Sequence, residues 1–308
     1  MPDVSVIVPA RDAQRSLGRT LDALDAQQFH GSFEVLVVDD GSQDATAQLA
    51  EARGVRVLRH ERCQGPGAAR NGGAAAAAGG ALAFTDADCE PAPGWLAAAW
   101  EALDNADIVL GPVAPAHPPG PLDRTVWVAA CSGLFETANL VVRREVFERA
   151  GGFPAGLAGL QSAHNFGEDA LFGWTAVRGG ARVVFEPRAL VLHEVMPRGA
   201  RAFIAERRRL GLFPLLVREI PELRGSFLQG RYFLNRRTAR FDLAAAGLLG
   251  ALVLQRRWPL LALLPYASAV RDDARMSGRR AAAVRIAADC VGAAALARGS
   301  AAYRSLVI

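Results

Sequence analysis

The sequence predicts an α/β fold, in which a mostly parallel central sheet is flanked by helices, followed by a helical and partly apolar C-terminal region. Short β-branched runs alternate with segments of helical periodicity in the early part of the chain. The runs are apolar throughout, as in strands buried on both faces of a sheet. The balance of charge also changes sign near residue 200. These features indicate an α/β domain with a chemically different extension.

The chain begins with a predicted β-α-β unit. The runs VSVIV (4–8) and EVLVV (34–38) are β-branched and predict strands. Between them Leu17, Leu21 and Leu24 recur at helical spacing. A helix that connects two consecutive buried strands indicates that the strands are parallel.

Two further strands and a helix follow. VRVL (55–58) predicts the third strand, and GPGAARNGGAAAAAGGA (65–81) predicts a glycine-bounded alanine helix. ALAF (81–84) predicts the fourth strand. The alternation therefore continues as an open, doubly covered sheet.

Carboxylates follow the second and fourth predicted strands. They are Asp39, Asp40, Asp86 and Asp88. Ligands of open α/β sheets bind beyond the carboxyl ends of the strands. An aspartate at a strand end can simply cap a turn, but four carboxylates at one edge favour a polar ligand. A cation with oxygen ligands is the simplest partner for the Asp86–Asp88 pair.

The glycine-rich segment at 65–72 matches neither common phosphate-binding loop. It lacks the G-x-G-x-x-G pattern, does not follow the first strand, and has no Gly-Lys-Ser/Thr. This disfavours a dinucleotide dehydrogenase or a P-loop enzyme. Arg70 within it can pair with a diphosphate, or can form a surface ion pair instead.

Charge divides the chain into two regions. Residues 1–200 contain 16 arginines and 24 acidic residues, whereas residues 201–308 contain 19 arginines and 7 acidic residues. We predict a first domain over 1–198 and a basic helical region over 199–308. The positive charge of the second region predicts a location near an anionic surface. The four cysteines lack metal-site spacing, which favours a reduced chain without a cysteine metal site.

A series of motifs resembles the family-2 glycosyltransferases of the GT-A fold. In the predicted sheet these motifs are VSVIVPARD, EVLVVDDGSQDAT, GPGAARNGG and TDAD. The resemblance continues through NLVVRREVFERAGGF (139–153), GEDALFGWTAVRGGARVVFEP (167–187) and ALVLH (189–193). It covers about residues 3–195. It implies a GT-A catalytic domain that uses a nucleotide-diphosphate sugar and a D-x-D metal site.

The resemblance assigns donor binding to strand ends and to the glycine loop. The residues implied are Pro9, Ala10, Asp12, Asp39, Asp40, Gly67, Arg70, Asn71 and Asp86. Asp40 is expected at the uracil or the ribose, since the family favours UDP-sugars. Asp86 is expected near both the ribose and the metal.

The resemblance also assigns metal-binding and catalytic residues. Asp88 and Asp86 are expected to hold manganese or magnesium, with His193 as a further ligand. Asp169 is expected to be the general base that takes a proton from the acceptor hydroxyl, which implies inversion at the anomeric carbon. The residues implied for the acceptor or sugar pocket are Trp95, Asn139 and Glu168.

Several of these residues have a purely structural alternative. An aspartate such as Asp169 at the start of a helix also suits the helix dipole. His193 can be a polar residue with an ordinary hydrogen bond, and Trp95 beyond Pro-Gly can be a packing residue.

The implied acceptor is a glycan or a lipid-linked molecule in cell-envelope glycan synthesis. The chain lacks the Q-x-x-R-W motif of processive family members, and residues 206–210 match it poorly. Transfer of a single sugar is therefore expected.

The basic region contains two apolar segments, 243–254 and 258–270, with arginines on both sides. Each is shorter than the roughly 20 residues of a spanning helix. They can form a buried hairpin, a re-entrant pair, interfacial helices or a helical subdomain packed on the sheet. We expect a membrane-associated region at the cytoplasmic face, peripheral or shallowly inserted.

Two other functions compete with sugar transfer. A nucleotidyltransferase on a similar sheet normally has a glycine- and lysine-rich signature near the N-terminus, and this chain has no lysine. An inactive sugar-nucleotide binding module is expected to have lost Asp88 or Asp169, and both are present. Nucleic-acid binding is not expected, since the apolar segments suit lipid better than phosphate.

Overall fold

The computed structural model describes residues 1–155 and 166–308 of the chain. These residues form two compact units, the first made of 1–118 and 125–195 and the second of 119–124 and 196–308. The second junction lies close to the predicted boundary after residue 198. The sequence does not predict that 119–124 belongs with the helical region.

The first unit contains two sheets of short strands. Within the described residues there are ten strands: β1 (Val4–Ala10), β2 (Phe33–Asp39), β3 (Arg56–Arg59), β4 (Ala81–Phe84), β5 (Cys89–Pro91), β6 (Ile108–Leu110), β7 (Val113–Pro115), β8 (Leu140–Arg143), β9 (Val183–Phe185) and β10 (Val191–His193). The larger sheet has the order β3-β2-β1-β4-β8-β6-β9, and the smaller one has the order β5-β10-β7. The four strands predicted from the sequence are β1 to β4.

Helices connect these strands, as the periodicity predicts. They are α1 (Leu17–Asp25), α2 (Thr46–Ala52), α3 (Pro66–Ala76), α4 (Trp95–Ala102), α5 (Arg144–Arg149) and α6 (Glu168–Arg178), with a 3-10 turn at Thr137–Asn139. Helix α3 ends earlier than the alanine-rich pattern predicts. The backbone amides that follow it are used elsewhere: Ala78 donates to Glu34 at 2.6 Å, and Gly79 donates to Ser5 Oγ at 2.8 Å. These bonds turn the chain into β4.

The larger sheet is mostly parallel, as predicted. Strands β2 and β4 both pair in parallel with β1, whereas β8 runs antiparallel to β4 and β6. The carboxyl ends of β1, β2 and β4 therefore meet at one edge.

Apolar side chains cover both faces of this sheet. Ile7 and Leu82 belong to one buried cluster, while Val8 and Ala83 belong to the other. On the first face, α3 lies very close to β1, because a Cβ added to Gly73 would lie 2.5 Å from Cγ2 of Ile7. This close approach sets the position of the residues at the start of α3 relative to the sheet edge.

The second unit is helical. Its helices are α7 (Ala200–Glu206), α8 (Phe213–Glu219), α9 (Leu223–Ser226), α10 (Arg236–Leu254), α11 (Leu264–Ser277) and α12 (Arg279–Tyr303), with 3-10 segments at Arg207–Leu212 and Trp258–Leu263. Asn235 caps α10, since its side chain accepts hydrogen bonds from the backbone amides of Arg237 and Thr238. Gly299 lets α12 cross the first 3-10 segment, because a Cβ there would lie 2.1 Å from the carbonyl oxygen of Gly211.

The two predicted apolar segments are helical, and the second folds back against the first. The first is the C-terminal part of α10, and the second is a 3-10 segment continuing into α11. They are closely packed, since a Cβ at Gly247 would lie 2.7 Å from the carbonyl oxygen of Pro259. Many of their large apolar side chains remain exposed, namely Leu243, Leu248, Leu249, Leu252, Val253, Leu254, Trp258, Leu261 and Leu264. Among the residues described, none of the helices combines the length and apolarity needed to traverse a bilayer.

Candidate active site

The end of β1 lies beside the end of β2 at the shared sheet edge. Ala10 pairs with Asp39, and the Asp40 amide donates to the Ala10 carbonyl at 2.8 Å. Pro9 is half-buried and Ala10 is buried. The predicted donor-binding residues of these two strands are thus brought together.

The Asp40 carboxylate holds its own loop in place. It accepts hydrogen bonds from the backbone amides of Gln64 at 2.8 Å and Gly65 at 2.7 Å. His60 Nδ1 lies 2.7 Å from one oxygen, and the Cys63 thiol donates to the other at 3.1 Å. Burial alone would raise the pKa of this carboxyl, but these bonds lower it overall below 3.8. Asp40 therefore anchors the loop that leads into α3, and its contact with a donor remains a prediction.

The neighbouring carboxylates are also bound to loop amides. Asp39 Oδ1 accepts from the Ser42 amide at 3.0 Å, and Asp12 Oδ1 accepts from the Gln43 amide at 2.9 Å. Asp12 has a positive φ of 50°, which is uncommon outside glycine. Both residues therefore hold the turn that follows β2. Asp12 is also exposed to solvent.

The D-x-D aspartates meet His193 across the smaller sheet. In the antiparallel pairing of β5 and β10, His193 lies opposite Cys89. As a result, ligand atoms of Asp86, Asp88, Cys89 and His193 all lie within 4.8 Å of one another. His193 Nε2 lies 3.7 Å from Asp88 Oδ1.

The contacts of His193 are compatible with metal binding. Its Nδ1 lies 2.8 Å from the carbonyl oxygen of Glu194, which can only accept, so Nδ1 is the donor, and its Nε2 lies 3.7 Å from Asp88 Oδ1. A histidine that ligates a metal is commonly held by such a bond from its other nitrogen. Burial, together with repulsion from Asp86, raises the pKa of Asp88. Two carboxylates and one imidazole nitrogen fit Mn²⁺ or Mg²⁺.

Cys89 is a member of this cluster that the sequence pattern does not identify, because it has no partner cysteine at metal-site spacing. It is fully buried, and burial raises the pKa of its thiol well above the ordinary value. The neutral thiol adds no charge to the site. The one indication of its place in the sequence is that Cys89 directly follows the D-x-D motif.

Arg70 connects this cluster to the start of α6. Its Nη2 donates to Asp86 Oδ1 at 2.7 Å, and its Nη1 lies 3.8 Å from Glu168 Oε1. The guanidinium is buried and lies 5.9 Å from the centre of the Phe153 ring. Within residues 1–155 and 166–308, its buried Nε has no hydrogen-bond partner. Arg70 is therefore part of the site rather than a surface ion pair.

Asp169 lies at the first turn of α6, after Gly167 in a left-handed conformation (φ 77°). A helix N-terminus normally favours the ionised carboxylate. Here burial has the largest effect and, together with the charge of Glu168, raises the pKa of Asp169 to about 8. The Ala170 amide, which donates to Asp169 Oδ1 at 2.9 Å, lowers the pKa only in part. A carboxylate with this pKa is suited to accept a proton near neutral pH.

Glu136 is a further carboxylate near Asp169, and its charge also raises the pKa of Asp169. It accepts a hydrogen bond from Ser132 Oγ at 3.2 Å, and burial raises its own pKa. The preceding residue, Phe135, has a φ of 57° and packs against Trp174. No motif surrounds Glu136, so the sequence carries no signal for it.

Two predicted donor-binding residues of α3 have structural contacts. Asn71 forms a pair of hydrogen bonds with the Phe153 backbone, at 2.7 Å to its carbonyl and 2.9 Å from its amide. Gly67 packs closely against Glu168, since a Cβ there would lie 3.3 Å from Cγ of Glu168 and would require that side chain to shift slightly. Asn71 thus connects α3 to Phe153, and Gly67 lies against the first residue of α6.

The structure does not support an acceptor-pocket role for Trp95 or Asn139. Trp95 is 0% exposed and Asn139 is 2% exposed. The Trp95 indole donates to Asn139 Oδ1 at 2.8 Å, and Asn139 Nδ2 donates to the carbonyls of Pro112 and Ala189 at 2.9 and 2.7 Å. Their polar atoms bind one another and the backbone, and they leave no surface for a ligand. Glu168, the third predicted pocket residue, is buried beside Arg70.

Solved structures with this fold contain nucleotide sugars. The mannosyltransferase PcManGT from Pyrobaculum calidifontis, in complex with GDP-Man and Mn²⁺, matches with a TM-score of 0.62 and 22% identity, over 95% of this chain and 87% of that one. S. aureus TarS 1–349 in complex with UDP-GlcNAc matches with a TM-score of 0.53 and 21% identity, over 98% and 92%. At this identity the likeness establishes the GT-A fold alone.

Sequence comparison identifies the family. Residues 5–150 match glycosyl transferase family 2. Glycosyltransferase AglE of Haloferax volcanii is 30% identical over 219 residues, which are 65% of this chain and 69% of that protein. The pre-mycofactocin glycosyltransferase of Mycobacterium tuberculosis is 29% identical over 213 residues, which are 62% of this chain but only 43% of that protein. The chain therefore belongs to glycosyl transferase family 2 and is a glycosyltransferase with a nucleotide-sugar-binding GT-A fold.

Proposed function

We propose that this glycosyltransferase transfers a single sugar, with inversion and in a metal-dependent reaction, from a UDP-sugar to an acceptor hydroxyl. The observation that carries the proposal is the ion-pair bridge of Arg70, which connects Asp86 of the D-x-D motif to Glu168 beside Asp169. It supports the proposal because Arg70 contacts both a carboxylate expected to bind the charged leaving group and the residue next to the candidate base.

The donor diphosphate would lie at the Asp86–Asp88–His193 cluster. A divalent cation held by these residues would neutralise the diphosphate and stabilise it as a leaving group. The buried Nε of Arg70, which has no hydrogen-bond partner among the described residues, would be a further donor at the same edge. The nucleoside would extend toward the ends of β1 and β2, where Pro9, Ala10 and Asp39 lie.

Asp169 would act as the general base. It accepts the proton of the acceptor hydroxyl while that oxygen attacks the anomeric carbon. The bond between the anomeric carbon and the diphosphate oxygen breaks, and its electron pair leaves with the diphosphate. Attack from the opposite face inverts the configuration at that carbon. The raised pKa of Asp169 favours this proton transfer near neutral pH.

The relatives support nucleotide-sugar chemistry but differ in the donor. One structural neighbour is in complex with GDP-Man and Mn²⁺, and another is in complex with UDP-GlcNAc. We favour a UDP-sugar because of the family preference for uridine; the two structural neighbours do not separate the bases, since the one with GDP-Man has the higher TM-score (0.62 against 0.53). GDP-sugars are the direct competitors in the experiment below.

We further propose that the helical unit attaches to the cytoplasmic face of a membrane and that the acceptor is lipid-linked, in cell-envelope glycan synthesis. The exposed apolar side chains of α10 and the following 3-10 segment, Trp258 among them, support this. Arg256 and Arg257 lie between the two segments and are exposed. Each arginine at an anionic leaflet contributes about 1 kcal/mol. Attachment would raise the rate at which the enzyme meets a lipid-linked acceptor.

The test is a panel of UDP- and GDP-sugars screened with the purified chain by thermal shift, with and without Mn²⁺, followed by donor turnover. We expect one UDP-sugar to stabilise the protein only when Mn²⁺ is present and to be consumed. Stabilisation without any turnover would indicate a binding module. In a separate assay with UTP or GTP and a sugar phosphate, release of pyrophosphate would indicate a nucleotidyltransferase. Stabilisation by GDP-sugars alone would overturn the choice of base.

A further inference from the structure

The helical unit contains a cavity of about 480 Å³ that is separate from the residues of the transferase site. All of its lining residues belong to 119–124 and 196–308. The side chains that matter for its chemistry are Arg198, Phe203, Arg207, Arg237, Asp242 and Asp289. Both charged groups and apolar surface therefore face the same space.

Two arginines stack on one aromatic ring at this cavity. The guanidinium carbons of Arg198 and Arg207 lie 4.8 and 4.9 Å from the centre of the Phe203 ring. Arg198 also forms an ion pair with Glu206. In the part of the chain that the structure describes, no carboxylate lies within ion-pair distance of Arg207.

The other arginines of the cavity are balanced by carboxylates. Arg237 donates to Asp289 at 2.8 Å and to Asp273 at 2.6 Å, and Arg285 also binds Asp273. Tyr266 donates to Asp289 at 2.7 Å. Arg237 and Arg285 are thus neutralised by Asp289 and Asp273, whereas Arg207 has no carboxylate partner of its own among the described residues.

The environment of Arg207 disfavours its positive charge. Burial lowers the pKa of its guanidinium, and repulsion by Arg237 and Arg285 adds to this, while Asp289 partly opposes it. A bound anion would relieve both effects. Since a guanidinium presents a planar fork of donors that matches a phosphate, Arg207 is suited to this ligand.

Asp242 provides a second unsatisfied group at the cavity. Its Oδ2 is buried and lacks a hydrogen-bond partner among residues 1–155 and 166–308, and burial raises its pKa. A carboxylate here opposes an anion when it is ionised and can donate to a phosphate oxygen when it is neutral. The charge state of Asp242 would therefore change the affinity of the cavity for an anion.

Helix α10 connects this cavity to the exposed apolar surface. Its first part lines the cavity through Arg237, Phe241 and Asp242, and its last part carries exposed Leu249 and Leu252. An amphipathic molecule with a charged head and an apolar chain matches that order along a single helix. A small inorganic anion would use the cavity alone.

We propose that this cavity binds the phosphate headgroup of a membrane lipid, with Arg207 as the anion contact and the lipid chain along the apolar part of α10. The site is distinct from the sugar-transfer site, and its binding does not depend on turnover or on a divalent metal.

The test is calorimetric titration of the full chain with dihexanoyl phosphatidic acid, a soluble lipid phosphate, without metal or donor. We expect Arg207→Gln to weaken binding at least about tenfold, as for the loss of a charge-assisted hydrogen bond. The matched control is Arg208→Gln, which removes the same charge from an adjacent exposed position and should change the affinity less than about twofold. Equal losses in the two variants would overturn the proposal.

A second pair of variants covers the case in which Arg207→Gln does not fold. Asp242→Asn keeps the shape of the side chain but removes its charge, so binding should become tighter. Asp272→Asn is the exposed control and should leave the affinity unchanged. If Asp242→Asn binds no more tightly than Asp272→Asn, the cavity is not the binding site.

Inorganic phosphate distinguishes the two possible sources of the anion. It should bind the wild-type chain at least about tenfold more weakly than the lipid phosphate, since it gains nothing from burial of apolar chain. Equal affinity would overturn the lipid assignment in favour of free phosphate. Because dihexanoyl phosphatidic acid needs no membrane, its result is independent of vesicle attachment.

Discussion

Arg70 Nη2 and Asp86 Oδ1 form a 2.7 Å hydrogen bond in which the arginine is almost fully buried while the aspartate remains partly open. The same guanidinium lies 3.8 Å from Glu168. One side chain of α3 thereby connects the loop after β4 to the start of α6. A single residue thus contacts both a member of the possible metal cluster and the neighbour of the candidate base.

Replacing Arg70 tests this connection. Arg70→Lys keeps the charge but loses the planar fork, so it cannot satisfy Asp86 and Glu168 together. We expect kcat/KM to fall about tenfold or more. In steady-state kinetics, the metal concentration that gives half-maximal rate should rise as well, because the metal is bound more weakly. Arg149→Lys on the exposed surface of α5 is the matched control, and an equal effect there would contradict a specific role.

Asp88 tests the metal site. Asp88→Ala removes a carboxylate from the cluster, so transfer should be abolished and Mn²⁺ should no longer strengthen donor binding. A chelator should have the same effect on the wild type, with recovery on adding Mn²⁺ or Mg²⁺. Asp104→Ala, at an exposed position, should leave transfer unchanged. Full activity of Asp88→Ala would remove this residue from the site.

Asp169 tests proton transfer. Asp169→Asn cannot accept the acceptor proton, so the rate should fall by about 10²- to 10⁴-fold while donor affinity is retained. Because the base must be ionised and its pKa is raised to about 8, the wild-type kcat/KM should increase with pH through that region. The variant should lose this dependence. Calorimetry showing an equal loss of donor affinity would make Asp169 a donor ligand instead.

Asp40 separates loop anchoring from donor contact. Asp40→Ala removes the acceptor of the Gln64 and Gly65 amides, and the Gly65 amide is buried, so the free energy of unfolding should fall by about 1–3 kcal/mol. The wild-type contribution is present above the ordinary pKa of 3.8 and is lost as pH falls through the lowered folded value. Denaturant unfolding at pH 7 and at acidic pH measures both. Weaker donor binding with unchanged stability would support the donor contact expected from the family resemblance.

The apolar surface of α10 tests membrane attachment. Leu249→Glu with Leu252→Glu places charge on the exposed face, so flotation of the full chain with anionic liposomes should be lost. Met276→Glu is the control for an exposed apolar residue outside this segment, and it should still float. A wild-type chain that stays soluble and monodisperse without detergent would count against attachment and against a lipid-linked acceptor.

Sequence patterns predicted β1 to β4 of the larger sheet, because these strands show local periodicity. Asp86 and Asp88 directly follow the buried strand β4, as the sequence indicates. These features require no knowledge of contacts between distant residues. The ligand-binding role of this edge and the metal-ligand role of His193, which the family resemblance implies, stay predictions.

Other features depend on tertiary contacts that a sequence does not display. Trp95 and Asn139 carry polar atoms that suit a pocket, but the fold pairs them with one another in the core. Both carboxylate oxygens of Asp40 likewise accept hydrogen bonds from the backbone amides of its own loop. Glu136 lies near Asp169 and directly follows Phe135, whose backbone is left-handed. A phenylalanine in the sequence does not predict that conformation.

The central claim is that Asp169 drives an in-line attack on a metal-bound donor, and the anomer released during turnover tests it most directly. Time-resolved proton NMR can follow hydrolysis of an α-linked UDP-sugar, with water as the acceptor, before mutarotation mixes the products. We predict that the β anomer appears first, that Mn²⁺ is required, and that Asp169→Asn slows its appearance. An α anomer as the first product would contradict inversion and the assignment of Asp169 as the base.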